Sequence, residues 1–236
     1  MFASSRPVPL RPMGTVAASI LAADFANLGA QVATVEPHVG VFHVDIMDGH
    51  FVPPIALGAV IVASLRPVTE RPLHGHLMVE QPGGFFDELR EAGLDIVSFH
   101  LEAVPEPAPS IAKARGAGLG VGLTLNLETP VEAAFPYLDA IDDVMLMSIR
   151  PGWSYQTLND DVYARLATVR TEIDRRGLDV ALEIDGGVKL DNARRAVDAG
   201  ASVLIAASGI FAQPDPAAAA RGLAAIAAGA ADGEGA

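Results

Sequence analysis

The chain contains no cysteine among its 236 residues, which excludes disulfide bonds and thiolate chemistry. Basic residues are also scarce, because 16 Lys and Arg stand against 29 Asp and Glu and give a formal net charge of −13. This charge argues against a nucleic-acid partner, since binding to phosphate backbones needs basic patches. An anionic ligand would have to be held locally, by backbone N–H groups and helix N-termini.

Long hydrophobic runs are missing as well. No apolar run approaches the roughly 18 residues of a membrane span, and residues 1–14 lack the apolar segment of a secretory signal. We therefore expect a cytoplasmic protein with no membrane partner. Hydrophobic residues nevertheless make up 50% of the chain, which is enough for a large core. Residues 15–226 are predicted to form one domain, between a disordered arm at 1–14 and a flexible Ala/Gly-rich tail at 227–236.

One unit recurs along the chain: a short apolar run, an amphipathic stretch, a glycine and another apolar run. The junctions EAGLDI at 91–96 and DAGASV at 198–203 are clear examples. Each glycine suits the position just after a helix, and each following run is short enough for a buried parallel strand. The predicted strands are 16–20, 41–45, 73–77, 95–100, 120–125, 144–148, 180–185 and 203–206. The predicted helices include 25–36, 85–92, 111–117, 160–176 and 190–199.

Eightfold alternation of strand and helix favours an α/β fold with a single closed (β/α)8 TIM barrel. A doubly wound open sheet is the alternative. It is weakened because no Gly-x-Gly-x-x-Gly motif follows the first strand.

Polar side chains stand at or just after the ends of these predicted strands, where active sites of such barrels gather. They are Ser19, His43, Asp45, His76, His100, Ser148, Asp185 and Ser208. His43 and Asp45 are two residues apart and therefore point to the same face of one strand. Together with His76 and Asp185 they supply two imidazoles and two carboxylates. This set suits one divalent Zn, Fe(II), Mn or Co ion, whereas imidazoles argue against Mg or Ca. For any single histidine, the alternative is a buried core residue whose ring nitrogens have hydrogen-bond partners within the protein.

Five segments, in order along the chain, resemble the motifs of the ribulose-phosphate 3-epimerase family, and the likeness spans roughly residues 16–211. They are ASILAAD at 18–24, HVDIMDGHFVP at 43–53, HLM at 76–78, MS with PG at 147–152, and EIDGG at 183–187. The resemblance implies a barrel of the ribulose-phosphate-binding type and an isomerase. The implied reaction inverts C3 of a ketose phosphate, typically D-ribulose 5-phosphate to D-xylulose 5-phosphate. It also implies a homo-oligomer.

The resemblance assigns roles to residues of this chain. Asp45 would remove the proton and Asp185 would deliver one to the opposite face, while both, with His43 and His76, bind the metal. This fits the chemistry, because inversion needs an acid/base group on each face and a divalent ion stabilises an enediolate. Met47, Met78 and Met147 match methionines that line the family's cavity, with ordinary core packing as the alternative. A structural role is expected for His100, and His74 stands where the family usually has Asp.

Departures from the family's pattern concentrate at the phosphate end of the expected site. The residues predicted to bind substrate are Ser19, His76, Gly152, Trp153, Ser154, Tyr155, Gly186, Gly187, Ala207 and Ser208. Trp153 stands where the family usually has Phe, Ser154 and Tyr155 where it has Gly-Gly, and Ala207 where it has Gly. Because glycine lets a backbone approach an anion closely, these changes should reshape the phosphate cradle. Arg150 could compensate by contacting phosphate directly.

Three other functions stay open at this point. The first is a 3-epimerase of another ketose phosphate, such as a hexulose 6-phosphate. The second is a non-catalytic sugar-phosphate-binding barrel, against which the two aspartates speak. The third is an aldolase or synthase on a similar barrel. Such enzymes commonly use a strand-end lysine, and neither Lys113 nor Lys189 ends a predicted strand.

Overall fold

The computed structural model describes residues 14–229 and contains a closed barrel of eight parallel strands. Around the barrel the neighbours are β1, β9, β8, β7, β6, β5, β4 and β2, and pairing of β1 with β2 closes the ring. A short antiparallel strand, β3, is added to the end of β2. The strands are β1 Thr15–Ser19, β2 Val41–Asp48, β3 Ile55–Ala56, β4 Leu73–Met78, β5 Ile96–His100, β6 Gly120–Leu125, β7 Asp143–Met147, β8 Ala181–Asp185 and β9 Val203–Ala206. The predicted (β/α)8 barrel is confirmed, and the open sheet is wrong.

Helices follow the strands and cover the outside of the barrel. They are α1 Leu28–Val35, α2 Ala59–Leu65, α3 Phe86–Glu91, α4 Pro107–Gly116, α5 Asp161–Arg176, α6 Ala193–Asp198, α7 Ser208–Phe211 and α8 Pro216–Ala227. A ten-residue 3₁₀ helix, Val131–Ala140, takes the place of an α-helix between β6 and β7, and Pro136 lies inside it. Proline lacks the N–H that a regular α-helix needs at this position. The prediction for 111–117 began too late, since α4 starts at Pro107, where proline suits the first turn.

The hydrophobic core has two parts, separated by the strands themselves. Alternate residues such as Phe42 and Val44 face outward and pack with the helices, in one large buried cluster. The residues between them face the barrel axis, where Val41, Met145 and Ile205 belong to a smaller cluster. The axis also carries many polar side chains that are fully buried, and the functional site is built from some of these. They are His43, His74, His76, Ser98, His100, Thr124, Asp143 and Glu183.

The predicted arm and tail fall almost entirely outside the described residues. Of the arm, only Gly14 is described, just before β1, and of the tail only 227–229, of which Ala227 is the last residue of α8. Within residues 14–229, no helix combines the length and the hydropathy that crossing a membrane would require.

Candidate active site

Three strands bring the four predicted metal ligands together inside the barrel. His43 and Asp45 both point inward from β2, and the strand register sets Asp45 directly beside His76 on β4. Asp185 ends β8. One nitrogen or oxygen atom from each of the four lies within 4.8 Å of the others. The two-residue spacing of His43 and Asp45 therefore does place both side chains on the inner face of β2, in a compact cluster with His76 and Asp185.

The histidines of this cluster lie between its two carboxylates. His76 Nδ1 is 3.2 Å from Asp45 Oδ1 and 3.4 Å from Asp185 Oδ2. Burial alone would lower the pKa of His76, but hydrogen bonds to Asp185 and Asp45 raise this pKa to about 9. Burial would likewise raise the pKa of Asp45, but His43 and His76 lower it far below its ordinary value. In the metal-free chain, a proton on His76 thus balances the carboxylate charge.

His43 shows that the cluster fits a metal ion. Its Nε2 atom is fully buried, 3.4 Å from Asp45 Oδ1 and 3.9 Å from Asp185 Oδ2, yet no described residue gives it a hydrogen bond. Such orphaned buried atoms are rare and costly. A divalent cation would satisfy the imidazole nitrogens, and the two carboxylates would neutralise its charge. The donor set is that of Zn, Fe(II), Mn or Co.

Ser19 fixes the orientation of Asp45. The hydroxyl of Ser19, the last residue of β1, donates a 2.7 Å hydrogen bond to Asp45 Oδ2. The other carboxylate oxygen, Oδ1, then faces His43 and His76. Because the serine hydrogen is used in this bond, Ser19 can meet a sugar hydroxyl as an acceptor.

A second imidazole supports His76 from behind. His76 Nε2 is 2.8 Å from His100 Nε2, and His100 Nδ1 is 3.2 Å from Glu102 Oε2. Burial lowers the pKa of His100 to about 4, so this ring is neutral. If its Nδ1–H donates to Glu102, its Nε2 accepts from His76, and His76 Nδ1 is free to bind a metal. Sequence reasoning missed Glu102, whose one signal is its position two residues after a strand-end histidine.

Glu102 is itself held as a carboxylate. Its Oε1 accepts hydrogen bonds from the backbone N–H of Asn126, at 2.8 Å, and from the hydroxyl of Thr129. Burial alone would raise the pKa of Glu102. The bonds from His100, Thr129 and Asn126 outweigh burial and lower the pKa to about 2.

A cavity opens above the cluster at the carboxyl ends of the strands. Asp45 and Asp185 both line it. The remaining lining residues are Ser19, Leu21, Met47, Met78, Met147, Ile149, Pro151, Gly152, Trp153, Ser154, Tyr155, Gly186, Gly187, Val188, Ile205, Ala207 and Ser208. All residues predicted to bind substrate are among them except His76. That side chain is fully buried beside Asp45, in position to act on the carboxylates and the metal.

The three methionines lie in the cavity wall, as the family resemblance implied. Met47, Met78 and Met147 are all buried, and the first two pack with Val52. Unbranched thioether side chains adapt to irregular apolar surfaces, so they suit the carbon skeleton of a small ligand.

The loops at the mouth of the cavity need glycine at two positions after β8. Gly186 and Gly187 have φ angles of 113° and 66°. A Cβ atom at Gly186 would lie 2.3 Å from Ile149 Cγ1, and one at Gly187 would lie 2.8 Å from the Leu158 nitrogen. The backbone itself therefore forms this part of the wall, as a phosphate cradle requires.

Tyr155 keeps a backbone conformation that favours glycine. Its φ is 66°, in the left-handed region, and its side chain is 74% exposed at the cavity rim beside the half-exposed Trp153. The family usually has glycine here. The loop thus keeps the left-handed backbone that suits a glycine. Because the residue is a tyrosine, its Cβ atom makes that backbone conformation strained.

Arg150 lies apart from the cavity. It lines a neighbouring depression with Phe51, Pro53 and Asn126, and it is not among the residues that line the cavity described above. Only its backbone takes part in the loop, because its carbonyl accepts a 2.7 Å hydrogen bond from Gln156 Nε2. The suggestion that its side chain compensates for the lost glycines has no support in this arrangement.

Structural comparison supports the fold alone. The crystal structure of KGPDC from Streptococcus mutans has a TM-score of 0.69 at 17% identity and covers 92% of this chain and 98% of its own. A 3-hexulose-6-phosphate synthase has a TM-score of 0.70 at 20% identity, with coverage of 90% and 99%. A strand-end lysine, which the synthase alternative would need, is absent from the described strands, since Lys113 lies in α4 and Lys189 follows β8.

Sequence comparison is more specific. Residues 15–211 match the model of the ribulose-phosphate 3 epimerase family. A ribulose-phosphate 3-epimerase of Bacillus subtilis is 40% identical over 202 residues, covering 85% of this chain and 93% of the relative. A chloroplastic ribulose-5-phosphate-3-epimerase of Arabidopsis thaliana is 38% identical over 211 residues, covering 88% and 75%. With the motifs and the barrel site already in place, these matches establish that the chain belongs to the ribulose-phosphate 3-epimerase family of isomerases.

Proposed function

We propose that this chain is a metal-dependent epimerase that interconverts D-ribulose 5-phosphate and D-xylulose 5-phosphate. One observation carries the proposal: Asp45 and Asp185, from separate strands, both line a single cavity and both contact His76. Two carboxylates that reach one cavity from separate strands suit inversion at a carbon, because inversion needs an acid/base group on each face. The names of the relatives add the substrate class.

The proton transfers follow from the positions of these carboxylates. Asp45 accepts the C3 proton of the ketose, which leaves an enediolate, and Asp185 donates a proton to the opposite face. Ser19 holds Asp45 in orientation, and His76 contacts both aspartates. In the reverse direction the two aspartates exchange roles. Exchange of their protons with solvent resets the site.

One metal ion would be held by His43, Asp45, His76 and Asp185. When bound, a divalent ion of the Zn, Fe(II), Mn or Co class supplies Lewis-acid stabilisation of negative charge on the substrate oxygens. His100 and Glu102 present His76 in the tautomer that leaves Nδ1 free for the ion.

The phosphate end of the substrate is assigned to the loops after β7, β8 and β9. Residues of these three loops line the same cavity: Gly152 to Tyr155, Gly186 to Gly187 and Ala207 to Ser208. With a net charge of −13, the chain needs such local capture. A cytoplasmic location and a homo-oligomer remain predictions that accompany this function.

The second candidate is a 3-epimerase of a larger ketose phosphate, such as a hexulose 6-phosphate. It is favoured by Trp153 and Tyr155, whose aromatic side chains rim the cavity where the family usually has Phe and Gly. Steady-state assays with a panel of pentulose and hexulose phosphates separate the two. We expect the highest kcat/KM for D-ribulose 5-phosphate. A higher kcat/KM for a hexulose phosphate would replace the first proposal by the second. If no sugar phosphate exchanged its C3 hydrogen with solvent, both epimerase proposals would fail and a non-catalytic sugar-phosphate-binding protein would remain.

A further inference from the structure

A second group of buried polar side chains lies deeper along the barrel axis. His74 precedes His76 by two residues on β4, and Glu183 precedes Asp185 by two on β8, so each points inward one layer lower. Asp143, the first residue of β7, faces them. All three are fully buried, and one ligand atom from each lies within 4.8 Å of the others.

Four atoms of this group are orphaned. His74 Nδ1, Asp143 Oδ2 and both oxygens of Glu183 are buried without a hydrogen-bond partner anywhere in residues 14–229. His74 Nδ1 and Glu183 Oε2 are 3.6 Å apart, which is too long for a hydrogen bond. The orphaned atoms are one imidazole nitrogen and three carboxyl oxygens, and one ligand atom from each of the three residues lies within 4.8 Å of the others.

Ser98 explains why these atoms are turned toward one another. Its hydroxyl donates a 2.7 Å hydrogen bond to Asp143 Oδ1, so at its 2.7 Å contact with His74 Nε2 it must accept. The hydrogen of the neutral His74 ring is therefore on Nε2, and Nδ1 presents a lone pair to the centre. A lone pair of His74 and the oxygens of two carboxyl groups thus meet with no hydrogen-bond donor from another described residue between them.

Gly122 on β6 makes room for the arrangement. A Cβ atom there would lie 1.7 Å from Asp143 Oδ1 and 2.2 Å from Ser98 Oγ. No lysine or arginine is found among the buried polar residues of the described chain, so none of these side chains reaches into this layer. Burial raises the pKa of Asp143 to about 7, which reflects the same uncompensated environment.

We propose that His74, Asp143 and Glu183 form a second divalent-cation site, with a structural role, below the catalytic metal centre. Its ligands are His74 Nδ1, Asp143 Oδ2 and the two oxygens of Glu183. Two carboxylates neutralise the charge of the ion, and the imidazole favours Zn, Mn, Co or Fe(II) over Mg or Ca. Ser98 orients two of the ligands from the outer shell. None of these residues lines the substrate cavity, which is the arrangement of a closed structural site.

The test is a titration of chelator-treated wild-type protein with Co²⁺, followed by calorimetry and by absorption of the bound ion. We expect two equivalents per chain. A wild type that binds one equivalent would overturn the second site and would mean that protons on Asp143 and Glu183 satisfy the cluster instead. This measurement does not depend on whether any variant folds, and it leaves the proposed epimerase activity untouched.

Variants assign each equivalent to its site. His76→Ala should lose the catalytic equivalent and keep the other. Asp143→Asn, which preserves the shape and a hydrogen bond to Ser98, should lose the structural one. Ser98→Ala should weaken only the structural equivalent, by roughly 10–100-fold, as expected for an outer-shell partner. Anomalous diffraction at the cobalt edge should place the second ion between His74, Asp143 and Glu183. A second equivalent that survives unchanged in Asp143→Asn would contradict the assignment.

Discussion

The Nε2 atoms of His76 and His100 lie 2.8 Å apart, with the two rings stacked at a centroid distance of 5.0 Å. Two imidazoles can share such a contact only if one donates and the other accepts. Glu102, on the far side of His100, decides which, because its carboxylate takes the Nδ1 hydrogen of His100. The carboxylate of Glu102 thereby sets the tautomer of His100 and, through it, the tautomer of the metal ligand His76.

Glu102→Gln should therefore weaken metal binding without touching a ligand. The amide can donate as well as accept, so it no longer fixes the His100 tautomer. We expect the affinity of the catalytic ion to fall by roughly 10–100-fold, the usual effect of an outer-shell partner. Competition with a chromophoric chelator measures it. Glu132→Gln, an exposed glutamate on the 3₁₀ helix between β6 and β7, is the matched control. Equal affinities in the two variants would remove Glu102 from the metal site.

The same carboxylate should contribute pH-dependent stability. The folded pKa of Glu102 is about 2, below the ordinary value of 4.5, so its stabilisation is complete above about pH 4.5 and is lost as pH falls toward 2. At pH 6 we expect Glu102→Gln to unfold with a free energy lower than wild type by roughly 1–2 kcal/mol, because the partly exposed carboxylate loses charge-assisted hydrogen bonds. Chemical denaturation at several pH values measures the difference. A difference that grows toward pH 2 would contradict this assignment.

Removal of the metal should abolish activity. After treatment with a strong chelator we expect epimerisation to fall to background, and added Zn, Mn, Co or Fe(II) should restore it. His76→Ala should bind the catalytic ion weakly and stay inactive at ordinary metal concentrations. His38→Ala, outside the barrel on the turn after α1, is the control and should match wild type. Full activity in protein shown to be metal-free by elemental analysis would refute metal dependence.

Substitution of either aspartate should stop net epimerisation. Asp45→Asn and Asp185→Asn should each lose at least ~10²- to 10⁴-fold in kcat, the contribution of a positioned acid or base. Heavy water distinguishes their roles. Provided that the metal content is retained, Asp185→Asn should still exchange the C3 hydrogen of D-ribulose 5-phosphate, and Asp45→Asn that of D-xylulose 5-phosphate. Wild-type product without deuterium at C3 would exclude the two-base route.

Sequence patterns predicted the barrel well because short buried apolar runs and glycine-ended helices depend on local chemistry. Every predicted strand coincides with an observed one, although β2 continues beyond Asp45 to Asp48, where it pairs with β3. The sequence pattern does not predict this hairpin, because β3 has only two residues and is too short to form a strand-like run of its own. The four metal ligands come together in the structure as their strand positions suggested.

Contacts between distant strands were harder to foresee. The predicted strand 144–148 excludes Asp143 and therefore does not place it on the barrel axis, although Asp143 begins β7 and pairs with Gly122. Glu102 was missed because its role depends on how a loop folds back onto His100. The reach of Arg150 likewise depends on loop shape, which its proximity in sequence to the phosphate loop does not determine.

Tyr155 offers the clearest test of substrate specificity. Its left-handed backbone costs roughly 1–2 kcal/mol, and glycine would adopt it freely, so Tyr155→Gly should fold at least as stably as wild type. Removal of the side chain from the rim should also let the loop approach the phosphate. We expect a lower KM for D-ribulose 5-phosphate with little change in kcat, measured by a coupled steady-state assay. Tyr155→Phe should keep the wild-type KM, because only the hydroxyl is lost. Arg150→Ala should also resemble wild type, since the arginine lines a different depression. A Tyr155→Gly variant with wild-type kinetics would show that the altered loop does not tune specificity, and a raised KM in Arg150→Ala would return the arginine to the phosphate site.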